Sequence, residues 1–196
     1  MTLLSLRQIF FMKALNRFWM LLIVVFSSTM LYAQTPEPEF IGEVYWEKED
    51  GSYVKLGKEI GAYTSGISWK SNSWNALAIE LTGKNAKTRV PVGESIKLII
   101  RAVDNNSDPI SIISVYRFDA RKKKRKTVIA EDNSGTLMKS RTHTKNQLVF
   151  SGKKYGTSSY MILIDDVPAG EYGIVISNPN SVDEKRTIVS CFGVDK

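Results

Sequence analysis

The chain has one cysteine and one histidine in 196 residues. A single cysteine, Cys191, rules out an intrachain disulfide, so stability has to come from packing. The lone histidine, His143, lies in a polar stretch far from Cys191 and leaves no local pair for nucleophilic catalysis. No glycine-rich phosphate loop, zinc-ligand spacing, nucleophile elbow or cofactor-binding motif occurs. No window of eleven or more residues keeps a helical stripe of apolar side chains. No acidic residue precedes Glu37. The function classes with a compact sequence signature are thereby set aside, and the reading leans toward a protein without catalysis. A hydrolase, which would need clustered carboxylates, is the weakest alternative.

The missing acids at the N-terminus frame the first positive signal. Arg7, Lys13 and Arg17 supply positive charge ahead of the apolar run Trp19–Phe26, which continues to Leu31. The stretch closes with Leu31-Tyr32-Ala33 before Gln34, the pattern of a secretory signal cut after Ala33. A retained membrane span would need roughly 18 or more apolar residues; Trp19 to Leu31 is shorter and includes Ser27, Ser28 and Thr29. Met12 offers a second start that would give a compact signal. The expected organisation is a signal peptide over 1–33, a short extended linker over 34–40 containing Pro36 and Pro38, and one domain over 41–196. The destination is the periplasm or the outside of the cell.

Charge is concentrated rather than spread. The chain carries a formal +7. Removing the three basic residues of the leader leaves +4, and removing Arg121, Lys122, Lys123, Lys124, Arg125 and Lys126 as well would leave −2. Before this run Val115-Tyr116-Arg117-Phe118 alternates, and after it Thr127-Val128-Ile129-Ala130 resumes, so the run belongs at a hairpin tip. Lysines at such a tip discourage edge-to-edge association. Contact with an anionic surface is the second reading of the run. Nucleic acid is the third and is disfavoured, because basic residues spread over a face with stacking aromatics are wanting.

Period-two alternation dominates the rest, predicting strands at 43–47, 76–81, 95–103, 110–118, 126–130, 147–151, 160–164, 171–177 and 187–192. About nine strands with loops and no helix predict an all-β fold, a two-sheet sandwich of immunoglobulin-like kind. Asp104-Asn105-Asn106-Ser107-Asp108 has oxygen ligands at alternate positions, but Pro109 and Val115 stand where a calcium loop wants glycine and glutamate, so a turn is expected. Asp165 and Asp166 are neighbours whose carboxyls diverge on a strand. Trp69 and Trp74 flank a polar connection, and with Tyr63, extended by Trp46, they could form an aromatic platform for a sugar ring or a protein partner. The competing fate is that these rings cap the core.

Val167-Pro168-Ala169-Gly170-Glu171-Tyr172-Gly173, leading into a strand, is similar to a turn-and-strand seen in immunoglobulin-like exported domains. With the closing Cys191-Phe192-Gly193-Val194-Asp195 and the leader, the chain resembles uncharacterised secreted β-sandwich proteins of Bacteroidota-type bacteria. That resemblance implies fold and address and carries over no site residue. On the residues themselves, Tyr172, Ile174 and Ile176 fall on one strand face and are expected in the core.

Overall fold

The computed structural model describes residues 36–68, 73–93, 95–132, 146–177 and 185–195; the side chains of 66–68, 73–75 and 131–132 lie outside the description, as do the leader and His143. The fold is almost entirely β. Thirteen strands occur among the described residues: β1 (Val44–Glu47), β2 (Tyr53–Lys55), β3 (Gly57–Ser68), β4 (Ser73–Thr82), β5 (Arg89–Val90), β6 (Ile96–Arg101), β7 (Ile113–Arg121), β8 (Lys124–Asp132), β9 (Gln147–Leu148), β10 (Ser151–Tyr155), β11 (Ser159–Ile164), β12 (Gly170–Ile176) and β13 (Arg186–Val194). Among these residues no helix is long and apolar enough to cross a membrane.

The strands form two bodies of sheet. One is an open five-stranded sheet in the order β10-β11-β6-β1-β2. The other closes on itself: β3 pairs with β4, β4 with β8, β8 with β7, β7 with β12, β12 with β13, and β13 with β3, every pairing antiparallel. Each of the six strands thus has a partner on both sides, although β7 meets β8 only over Asp119–Arg121 and Lys124–Lys126. The all-β expectation holds, but a closed six-stranded ring and an open five-stranded sheet stand where two facing sheets were expected.

Alternation along the strands shows how ring and sheet share a wall. On β13, Val189 and Cys191 point into the ring, whereas Phe192 and Val194 join the core beneath the five-stranded sheet. On β7, Phe118 and Tyr116 serve the ring, and Ile113 and Val115 serve the sheet. On β12, Val175 faces the ring and Tyr172 and Ile174 face the sheet, as their spacing predicts; Ile176 packs at the margin of the same core. Where these strands lie between ring and sheet they are apolar on both faces, because both faces are covered there. Opposite them, Val44, Trp46, Ile96, Leu98, Ile100, Tyr160, Ile162 and Ile164 supply the sheet's inner surface. Each such aliphatic side chain contributes about 1.5–3 kcal/mol by leaving water. Tyr172 is fully buried, stacks on Phe192 with centroids 5.3 Å apart, and donates its hydroxyl to the Pro168 carbonyl at 2.6 Å.

The differences from the predicted strands have local causes. β3 was not expected, since Gly57, Gly61 and Gly66 with many polar residues hide its alternation. Gly61 is there because a Cβ would stand 2.7 Å from Ile79 Cγ2 inside the ring. The strand expected from Ile110 begins at Ile113 instead. Asp108 Oδ1 accepts the Ile110 amide at 3.0 Å and Pro109 opens a single helical turn over Pro109–Ile112, the usual chemistry of a helix start. Strands β2, β5 and β10 are short or lysine-bearing and carry little pattern. The expected linker is docked at its described end: Pro38 is buried and Glu37 is tied to the domain.

Gly173 tests the ring's tightness. A Cβ there would lie 2.5 Å from Val189 Cγ1 and 2.7 Å from Phe118 Cε2. Gly173→Ala is expected to cost about 1–3 kcal/mol by overpacking. Denaturant unfolding that shows no loss would mean the ring interior is looser than described.

Candidate functional site

β7 and β8 are joined by Lys122-Lys123 alone, with Lys122 at φ 42, the left-handed backbone that so short a connection requires. The hairpin expectation places the basic run correctly in the chain, and the turn length then decides which basic residues face water. Beyond the turn, β8 alternates outward at Lys124 and Lys126 and inward at Arg125 and Thr127. Arg121, Lys122, Lys123, Lys124 and Lys126 are exposed, and Lys124 Nζ bridges Glu80 at 2.8 Å. Arg121 stands directly opposite Lys124 across the strand pair. Arg125 leaves the candidate surface set. Only 1% exposed, it sits inside the ring.

Arg125 anchors a chain of charges at that end of the ring. Its Nη2 pairs with Glu59 Oε2, and its Nε donates to the Gly83 carbonyl at 3.2 Å. Its Nη1 lies 3.8 Å from Glu171 Oε2 and has no hydrogen-bond partner. Glu171 in turn accepts the Ala86 amide at 2.7 Å and Arg89 Nη1 at 2.6 Å. Arg89 continues to Asp195 through Nε and Nη2, at 2.9 and 2.5 Å. Its hydrogen bond to Asp195, opposed by partial burial and supported by Glu171, raises the guanidinium further. The Asp195 carboxyl is lowered by the same bond. Cys191 lies within reach of Glu59 and Arg125, but burial pushes its thiol up to about 12, so it stays protonated and is a poor nucleophile. These groups hold one another in place instead of presenting a free acid, base or thiol.

The other predicted residues are dispersed. Trp46 is buried in the sheet core and is withdrawn from the platform; Lys48 Nζ lies 5.7 Å from its ring centroid. Tyr63 is half-buried against the ring cluster. Trp69 and the side chain of Trp74 lie outside the described residues, although the β3–β4 pairing runs to Ser68 opposite Ser73. Because the ring strands alternate in direction, that pairing ends at the opposite end of the ring from the basic hairpin. Asp104 Oδ1 accepts the Asn106 amide at 2.9 Å and Asp108 caps the helical turn, so both carboxylates of the candidate calcium loop are engaged by backbone. Asn105 points inward. Asp165 accepts Ser95 Oγ at 2.7 Å.

Sequence reasoning missed Glu59, Arg89 and Glu171 as partners of Arg125. One signal was present: alternation from Tyr172 turns Glu171 to the opposite face, toward the ring. No protein-family model matches the chain, and no curated protein matches it.

Removing Arg125 would strand Glu59, its hydrogen-bonded partner, while Glu171 keeps Arg89 and the Ala86 amide. Glu59 is a quarter exposed, which softens the loss, so Arg125→Met is expected to cost about 2–3 kcal/mol. Lys123→Gln, two residues away, should stay within about 0.5 kcal/mol. Equal effects in urea unfolding would mean that Arg125 is as dispensable as the tip. Cys191 should resist a thiol reagent at pH 8 until denaturant is added; quick labelling of the native protein would contradict its burial.

Proposed function

We propose that this chain is an exported, non-catalytic binding module of the cell envelope whose exposed basic hairpin meets anionic surface polymers. The observation that carries the reading is the opposition of Arg121 and Lys124 with Lys122 and Lys123 between them. Like charges held face to face cost stability, and a polyanion laid across the tip relieves that cost. Export rests on the basic start, the apolar run and Leu31-Tyr32-Ala33. Absence of catalysis is supported by the mutual engagement of the charged groups around Arg125 and by the protonated Cys191 thiol. We further read the five-stranded sheet laid over β7, β12 and β13 as the immunoglobulin-like part of the fold. The Tyr172 hydroxyl bond to a carbonyl four residues upstream supports this, as in a tyrosine corner.

A second reading, glycan binding by Trp69, Trp74 and Tyr63, draws support from the β3–β4 hairpin that brackets Trp69. The two readings use opposite ends of the ring and are separable. The triple variant Arg121→Gln, Lys122→Gln, Lys123→Gln should elute from heparin or immobilised lipopolysaccharide at clearly lower salt than the parent. The interaction should fade as the Debye length falls below about 8–10 Å. Unchanged elution would sink the anionic-surface reading, and quenching of indole fluorescence by a neutral polysaccharide would favour the second.

A further inference from the structure

The turn between β10 and β11, residues 156–158, gathers hydrogen-bond donors around one point. Thr157 donates from its amide, and from its Oγ1 at 3.0 Å, to Glu37 Oε1. The Ser158 amide at 3.3 Å, Ser159 Oγ at 2.8 Å and Arg101 Nη1 at 2.7 Å all converge on Glu37 Oε2. Five donors from two strands and a turn therefore serve both oxygens of a single carboxylate. Ser159 itself is fully buried. Successive amides pointing into one concavity form an anion nest. The nest is braced from behind, because Asn105 Nδ2 donates to the carbonyls of Gly156 at 3.3 Å and Ser159 at 3.2 Å. Gly156 holds φ 55, and a Cβ at that position would occupy the space of the Glu37 carboxylate.

We propose that the 156–159 turn, with Arg101, is a carboxylate-binding site and that Glu37 is a ligand supplied by the chain itself, a plug whose removal leaves a site that another carboxylate can fill. The chemistry selects a carboxylate over a phosphate. Each of two oxygens has its own donors, and a single guanidinium balances a single negative charge, whereas a dianion would leave one charge over. The neighbouring titratable group is Tyr155, whose phenol is raised by burial and then by the charges of Glu47 and Glu37. Burial alone would raise the Glu37 carboxyl, but the Thr157, Ser159 and Ser158 hydrogen bonds outweigh it and hold it down at about 2. Since the folded value lies below the ordinary 4.5, this anchor is fully present above pH 4.5 and is lost as the pH falls toward 2.

The site is tested by emptying it. In Glu37→Ala, acetate should raise the melting temperature by several degrees in a saturable way, beyond sodium chloride at equal ionic strength. The Thr157 and Ser158 amide resonances should move with it. Wild type, and the double variant Glu37→Ala with Gly156→Ala, should show neither response. Acetate acting no better than chloride, or equally on all three proteins, overturns the proposal. Should Glu37→Ala fail to fold, the wild-type Glu37 carboxyl followed by carbon NMR decides. A midpoint near 2 supports the site, and one in the ordinary carboxylate range overturns it.

Discussion

The structure depends on three strands that are covered on both faces along the stretch where they pair with one another. β7, β12 and β13 are covered by the five-stranded sheet on one face and by the interior of the ring on the other. Along that stretch the buried residues must therefore suit one of two different cores. The sheet side takes large side chains such as Tyr172, Ile174 and Phe192. The ring side is narrow and takes Gly173, Val189 and Cys191. A six-stranded ring is too tight to hold bulky groups from every strand, so Gly61 and Gly173 enter where Ile79, Val189 and Phe118 already fill the space. The single cysteine belongs to this logic: it is a small, apolar filler in a crowded interior.

The same tightness explains the buried charges. Where apolar packing ends near the β7–β8 hairpin, the ring interior is closed by Arg125, Glu59, Glu171 and Arg89 in place of hydrophobic caps. Taking such groups from water costs several kcal/mol per ion unless partners and hydrogen bonds compensate. Here the compensation is nearly complete, with backbone groups of Gly83 and Ala86 drawn in alongside the side chains. The cluster also links distant parts of the chain, joining β3, β8, β12 and the segment at Ala86–Arg89. It therefore favours one closure of the ring over slipped alternatives, because a one-residue shift of β8 would turn Arg125 outward and Lys126 in.

What alternation can reveal was legible. The Tyr172-Ile174-Ile176 face, the long strands around Ile96–Arg101 and Ser159–Ile164, and the position of the basic hairpin all follow from period-two patterning with turn residues at the ends. What depends on pairing between distant strands was not. Ring closure is set by β12 meeting β7 and by β13 meeting β3, and neither leaves a mark within a short window. β3 escaped because its glycines serve neighbours on other strands. Arg125 escaped for a reason of parity: a two-residue turn sends it inward, while a longer connection could have left it in solvent. A run of six like charges hides such a member, since nothing in the run distinguishes it.

The carboxylates divide in the same way by reach. Asp104 and Asp108 act on amides two residues ahead, so their turn and capping roles are readable in the local chain. Glu37 and Glu43 act far away: Glu37 across the turn at 156–158 and onto β6, and Glu43 on Lys55 and Lys58. Burial tends to raise the Glu43 carboxyl, yet the hydrogen bond from Lys55 and the Phe40 amide bring it below its ordinary value. Together they fasten the start of the domain to the open sheet at both ends of a short stretch, with Pro38 buried between them. A segment that composition marks as a loose tether is thus made part of the fold by two charges. Hydrogen bonds to a charged group are the stronger kind, and the two carboxylates gather several of them, beside the Gly42 amide bond to the Arg101 carbonyl, where residues 36–42 offer little apolar content.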